Sequence, residues 1–119
     1  MERKVINGIQ QIGIGTTDAH STFQWYKNHL GFDIRVFEDE ATAELMLPYT
    51  AGKPRTRHAI LSMNMRGGGG LEIWQYKGRT PVAAKFKVQL GDLGVNCMKV
   101  RSKNVTASHA VLKQAGVSM

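Results

Sequence analysis

A strand-sized apolar run, a polar cap, a helical stretch and a closing glycine occur twice along this chain of 119 residues. That recurrence restricts the fold more than any single motif does. In the first copy, Ile9 to Gly15 is apolar and β-branched enough for a strand, and Thr16-Thr17-Asp18 supplies an N-cap. Ala19, Phe23, Tyr26 and Leu30 then fall on one helical face, with Gly31 placed to end the helix in a left-handed turn, so a helix is predicted over about 19–29. The second copy follows a Gly-Asp-Leu-Gly turn. Val95 to Val100 is predicted as a strand, Asn104 as the cap, and Val105, Ser108, Leu112 and Ala115 as one helical face before Gly116. Asp18 aligns with Asn104 and Gly31 with Gly116, with one residue of slippage. The repeat stops there, so 91–119 is read as only the opening strand and helix of a second unit.

Between the two copies, Phe32 to Phe37 reads as a strand and Glu38-Asp39-Glu40 as a turn into a short apolar stretch, Ala43 to Leu47, closed by Pro48. A Gly- and Pro-containing loop leads to a strand from His58 to Met65. Four glycines, Gly67 to Gly70, come before Leu-Glu-Ile-Trp-Gln-Tyr. No Lys-Ser/Thr follows them and strands flank both sides, so they fit a hairpin turn or bulge better than a phosphate cradle. Beyond Tyr76 the chain is loop-like, with room for one short strand. Residues 1–90 therefore read as a complete βαβββ module, and the fold class is α+β.

A hydrophobic content of 42% is enough for one core at this length. No run approaches the roughly 18 apolar residues of a membrane span, and the opening MERKVINGIQ lacks the apolar stretch of a signal peptide. We therefore expect a cytoplasmic protein without a membrane partner. The single cysteine, Cys97, cannot form an internal disulfide, fits a reducing compartment, and is expected to be a small buried hydrophobe. Sixteen Lys and Arg against nine Asp and Glu leave a net charge of +7. The basic residues are scattered rather than gathered into a run with interleaved aromatics, which argues against a nucleic-acid partner.

Alternation along the strands suggests where chemistry lies. Leu71, Ile73 and Gln75 share one face of their strand and can pack under the helix, leaving Glu72, Trp74 and Tyr76 on the other. A carboxylate beside two aromatic rings suits the wall of a cup for a small, partly apolar ligand. In the first strand Ile12 and Ile14 would face the helix and Gln11, Gly13 and Gly15 the cup. In the third, His58, Ile60, Ser62 and Asn64 form the more polar set, so His58 is a candidate general base and Ser62 and Asn64, with Trp74 and Tyr76, are candidate substrate contacts. His20, His29 and His109 fall on helices and are expected to face solvent.

QIGIGTTDAHSTFQWYKNHLGF resembles the first strand and helix of the glyoxalase, bleomycin-resistance and extradiol-dioxygenase superfamily, and GGGGLEIWQY resembles its fourth strand. The likeness covers about 7–76 and, weakly, 92–117. It implies one metal ligand from the first strand and a Glu from the fourth, positions held here by Gln11 and Glu72. An amide oxygen with a carboxylate is a hard half-shell suited to Zn, Ni, Mn, Fe(II) or Mg. The competing reading makes Gln11 a polar cup residue and pairs Glu72 with Arg57 or another base. The chain departs from the family where the second ligand pair should lie. The repeat puts Cys97 there, or Asn96 with the slip, and the strand that would carry a second Glu does not follow.

The resemblance thus implies a metal-dependent lyase, isomerase or dioxygenase of a small oxygenated substrate, in which the metal acts as Lewis acid and Glu72 moves the proton. The rival is a binding protein that sequesters a flat ligand on Trp74 and Tyr76 without catalysis. One βαβββ unit forms half a cup and leaves a sheet edge open, so a homodimer is expected.

Overall fold

In the computed structural model, which describes residues 4–6, 8–67 and 69–119, the first strand-to-helix turn is built as its sequence requires. β1 (Gln11–Gly15) leads into α1 (Ala19–Leu30), whose N-cap Asp18 accepts hydrogen bonds from the Ser21 amide at 2.9 Å and the Ser21 hydroxyl at 2.7 Å. These bonds hold the Asp18 carboxyl below the ordinary carboxylate range. Gly31 ends the helix at φ 71°, a conformation that glycine adopts without steric cost.

Three further strands complete the unit: β2 (Ile34–Ala43), β3 (Arg55–Met63) and β4 (Gly70–Tyr76). The sheet order is β1-β4-β3-β2, with β1 parallel to β4 and the remaining pairs antiparallel. The fold is therefore α+β, and its βαβββ sheet closes at Tyr76. Ile60, Leu71 and Ile73 lie fully buried beneath Ala19 and Phe23 of α1, with Phe32 beside them. Each such side chain contributes about 1.5–3 kcal/mol through burial. Gln75 adds a polar tie, its Oε1 accepting from the Ala19 amide at 3.0 Å and so satisfying one of the free N–H groups of the helix start.

The repeat is visible in atomic detail. Asn104 caps α2 (Val105–Gln114) at φ −145°, ψ 98°, against −146° and 101° for Asp18, and accepts from the Ala107 amide at 2.9 Å. Hydroxyl pairs brace both caps at 2.7 Å, Thr16 with Thr22 and Ser102 with Ser108. Gly116 repeats the left-handed turn at φ 76°. The copies part at their ends, since the Gly31 amide returns to the Tyr26 carbonyl and the Gly116 amide to that of Lys113. α2 buries none of its residues.

Several expectations are corrected. Val95 to Val100 forms no strand, because none of the four described strands lies alongside to complete a ladder; Met98 and Val100 instead lay their side chains against the edge of the core. The Glu38-Asp39-Glu40 triplet is not a turn. β2 runs through it, pairing these residues with Ile60, Ala59 and His58, while Arg35, His58, Arg57 and Lys77 compensate the charges. The apolar stretch after it coils into a short 3₁₀ helix, Glu44–Tyr49, rather than extending. Cys97 is exposed, and His29 is half-buried, stacked on Trp25 with its Nδ1 at 2.8 Å from the Trp25 carbonyl.

The most consequential correction concerns the third strand. Register places Ser62 opposite Leu71 and Ile60 opposite Ile73, so the polar set of β3 faces the helix and not the cup. Ser62 is fully buried with its hydroxyl donating to the Leu71 carbonyl at 3.2 Å. Asn64 ties three segments together: its Nδ2 donates to the Leu30 carbonyl at 2.7 Å, and its Oδ1 accepts from the Arg66 and Gly67 amides, each at 2.8 Å. Asn64→Ala should therefore cost about 2 kcal/mol or more, since buried backbone groups lose their partners, while Ser62→Ala should cost about 1 kcal/mol. Urea unfolding of the two variants checks both the size and the order of the losses.

Candidate functional site

With α1 covering one side of the sheet, the other side is open, and its middle is formed by β1 and β4. Gln11 lies beside Gly70, Gly13 beside Glu72 and Gly15 beside Trp74, all on that open face. The Gln11 Nε2 donates to the Glu72 Oε2 at 2.6 Å. Both side chains are half-buried, and two glycines on β1 leave the space beside Glu72 and Trp74 free of side chains. The local strand phase brings the amide and the carboxylate together from positions distant in the chain.

An aromatic wall continues from Glu72 along β4. The Trp74 and Tyr76 rings sit 6.1 Å apart, tilted by 54°, and the Arg57 guanidinium lies 5.1 Å from the centre of the Trp74 indole. Arg57 also pairs with Asp39 across β2 and β3, and its buried Nε has no hydrogen-bond partner among the described residues. The Arg57–Glu72 pair weighed from the sequence is therefore not formed. From the sequence, Arg57 is weighed only as an ion-pair partner of Glu72, not as part of the aromatic wall, although its alternation with Ala59, Leu61 and Met63 marks it as in phase with Tyr76 once the true register is known. Next to Gln11, at the end of the sheet, a pocket of ≈ 170 Å³ opens among Ile12, Phe32, Gly69, Met98 and Val100.

His58 is on the other face. It lies opposite Gln75, and its Nε2 meets the Glu38 Oε1 at 2.8 Å. Its polar character belongs to the exposed end of the helix side of the sheet, so it does not join Glu72. The hydrogen bond from His58 is the main cause holding the Glu38 carboxyl below its ordinary range, with Arg35 adding and partial burial opposing. Of the residues predicted for the cup, the open face thus holds Gln11, Glu72, Trp74 and Tyr76. His58, Ser62 and Asn64 lie across the sheet.

No protein family matches the chain by sequence, and no curated protein does. Among solved structures, a glyoxalase family protein from Bacillus cereus matches with a TM-score of 0.67 at 10% identity, over 98% of this chain and 76% of that one. The fold is glyoxalase-like. At that identity the glyoxalase-like likeness speaks for the architecture alone, and the site rests on the residues just described. No helix among the described residues is long and apolar enough to cross a membrane.

The ion pair outside the cup makes a prediction about acid. Because the carboxyl of Glu38 titrates below its unfolded value, its contribution to stability is complete at neutral pH and is lost as pH falls through the lowered value. Glu38→Gln should remove that part of the acid sensitivity. Urea midpoints measured at pH 7 and pH 3 should converge less in the wild type than in the variant.

Proposed function

We propose that this glyoxalase-like protein acts on a small oxygenated molecule held at the open face of the sheet, with Gln11 and Glu72 as half of a divalent metal site. The observation that supports this reading is the 2.6 Å approach of the Gln11 amide to the Glu72 carboxylate, placed directly before the Trp74 and Tyr76 wall.

The donor chemistry fits a hard cation as far as it goes. One carboxylate and one amide oxygen are both ligands of the type that Zn, Ni, Mn, Fe(II) and Mg accept. The amide nitrogen faces Glu72 here, whereas a cation takes the amide through its oxygen. Among the described residues no group of three His, Cys, Asp or Glu gathers to hold a metal, so one copy of the chain offers two ligands, and a second copy in a homodimer is the natural source of more. A bound divalent ion would supply Lewis-acid polarisation of substrate oxygens. The chain's own residues would do the rest. Trp74 and Tyr76 would hold an apolar part of the substrate and exclude water, Arg57 would orient an electron-rich group, and Glu72 would accept or return a proton at a carbon beside the polarised oxygen. A reducing, cytoplasmic setting suits the exposed Cys97.

Glu72→Ala and Gln11→Ala should each abolish tight Mn²⁺ or Zn²⁺ binding with little loss of stability, because the two side chains bond chiefly to each other. Isothermal titration with the metal alone, beside thermal unfolding, is the check. Unchanged metal binding in both variants would refute the site.

Arg57 over Trp74 favours a second reading, a non-catalytic binder of flat ligands. On that reading an aromatic ligand should still quench Trp74 fluorescence after complete chelation, and Trp74→Ala should weaken binding by about tenfold or more. On the catalytic reading, chelation removes turnover.

A further inference from the structure

β2 is the longest strand of the sheet, ten residues, and among the described residues it is hydrogen-bonded along one side only. Ile34, Val36 and Phe37 lie exposed on it. A long edge with apolar side chains is a template for another strand, and charges or bulges restrict which strand is accepted. β2 has both devices, a register shift at Val36 and the acidic triplet Glu38, Asp39 and Glu40. A further acidic strand is disfavoured there. A basic one is not.

Such a segment exists within this chain. Residues 84–90 read Ala-Lys-Phe-Lys-Val-Gln-Leu, with Phe86, Val88 and Leu90 alternating with Lys85, Lys87 and Gln89. That period of two is the pattern of a half-buried strand. Yet 84–90 adopts no strand, every residue in it is exposed, and Leu90 is 92% exposed. The radius of gyration, 16.4 Å, also exceeds the value of about 13.5 Å expected for a compact chain of this length, as a projecting, unpaired segment would make it.

We propose that residues 84–90 of one copy add to the free edge of β2 in a second copy, antiparallel, with Lys85 facing Glu40 and Lys87 facing Glu38. The phases of the two segments agree. Glu38 and Glu40 lie on the helix side of the sheet, opposite Ile60 and His58, whereas Phe37 and Asp39 lie on the open face, opposite Leu61 and Ala59. A register that brings each lysine to a glutamate therefore brings Val88 beside Phe37 on the open face and buries both. The Glu40 carboxylate is half exposed and, among the described residues, held by Lys77 alone at 3.4 Å, so it has room for a second cation. Two-fold symmetry makes the exchange reciprocal. This pairing goes beyond the function proposed above and uses none of its residues, but it lengthens the wall of the open face with Phe86 and Val88 of the partner subunit.

The test uses the full chain. Light scattering over a concentration series should show a dimer, and hydrogen exchange should show the amides of Lys85 and Lys87 protected in it. Lys87→Pro removes the N–H that this register directs at the free edge of β2 beside Glu38, in a segment without strand pairing in the single copy, so it should yield a monomer with unchanged circular dichroism. Lys85→Glu should weaken the dimer by about tenfold through two equivalent contacts, and adding Glu40→Lys should restore it. A monomer at all concentrations overturns the proposal, whether Lys85 and Lys87 are unprotected or protected by folding onto their own β2. A dimer indifferent to both Lys87→Pro and Lys85→Glu overturns it as well. Metal titration of the Lys87→Pro monomer keeps this outcome separate from the fate of the Gln11–Glu72 site.

Discussion

The seat of α1 on β3 and β4 is the contact from which the other features of the molecule follow. Ala19 and Phe23 need an apolar floor, and Ile60, Leu71 and Ile73 provide it only if odd-numbered residues of β4 and even-numbered residues of β3 point toward the helix. Because side chains alternate strictly, that one demand fixes the opposite face of every strand. Glu72, Trp74 and Tyr76 are turned to the open side because Leu71 and Ile73 are not free to be there. Gln11 follows, since the parallel register of β1 on β4 sets Ile12 and Ile14 against the same floor. The site is thus a by-product of the core.

The same demand explains what could and could not be read from the sequence. On β1 and β4 the helix-facing set is apolar apart from Gln75, which caps the start of α1, and the open set contains the other polar residues, so alternation identified both faces and with them Gln11, Glu72, Trp74 and Tyr76. On β3 the signal inverts. Ala59, Leu61 and Met63 are apolar but face the open side, and Ser62 and Asn64 are polar but buried on the helix side, because a core can hold a hydroxyl or an amide that finds backbone partners. Polarity alone therefore misplaced His58, Ser62 and Asn64. Only the register supplies the correct phase, and register depends on a partner strand that a single-sequence pattern does not contain. Glu38 to Glu40 failed for a related reason: three acids in a row suggest a turn until cross-strand cations from β3 and beyond are in place.

The repeated cap shows how local chemistry can outlast the tertiary context that gave it purpose. Asp18 and Asn104 adopt the same backbone angles within a few degrees and are braced by matching hydroxyl pairs, because the capping geometry needs only residues within one turn. The strand preceding Asn104 cannot form by the same local means. A strand satisfies its backbone through a neighbour, and the extended run through Met98 and Val100 has contact with the core edge but no ladder. Helix and cap are legible and realised; the strand is legible and unrealised.

The approach of Gln11 to Glu72 depends finally on an absence of bulk at Gly70. A β-carbon built there would meet the Met63 Sδ at 2.9 Å, the Gln11 Cβ at 3.0 Å and the Gln10 carbonyl at 3.3 Å, so the Met63 side chain and the β1 backbone would have to give way. Gly70 is directly beside Gln11 in register, and a side chain there would crowd Gln11, which reaches the carboxylate two residues along. Gly13 behaves differently. A β-carbon there would find only the Glu72 carbonyl at 4.0 Å, which is ordinary contact, so the open space beside Glu72 is not enforced by close packing. One glycine lets β1 lie flat enough for the two polar groups to meet, and the other leaves room above them. The four-glycine run that reads as a turn thus also sets the geometry of the open face, through the one of its members that belongs to β4.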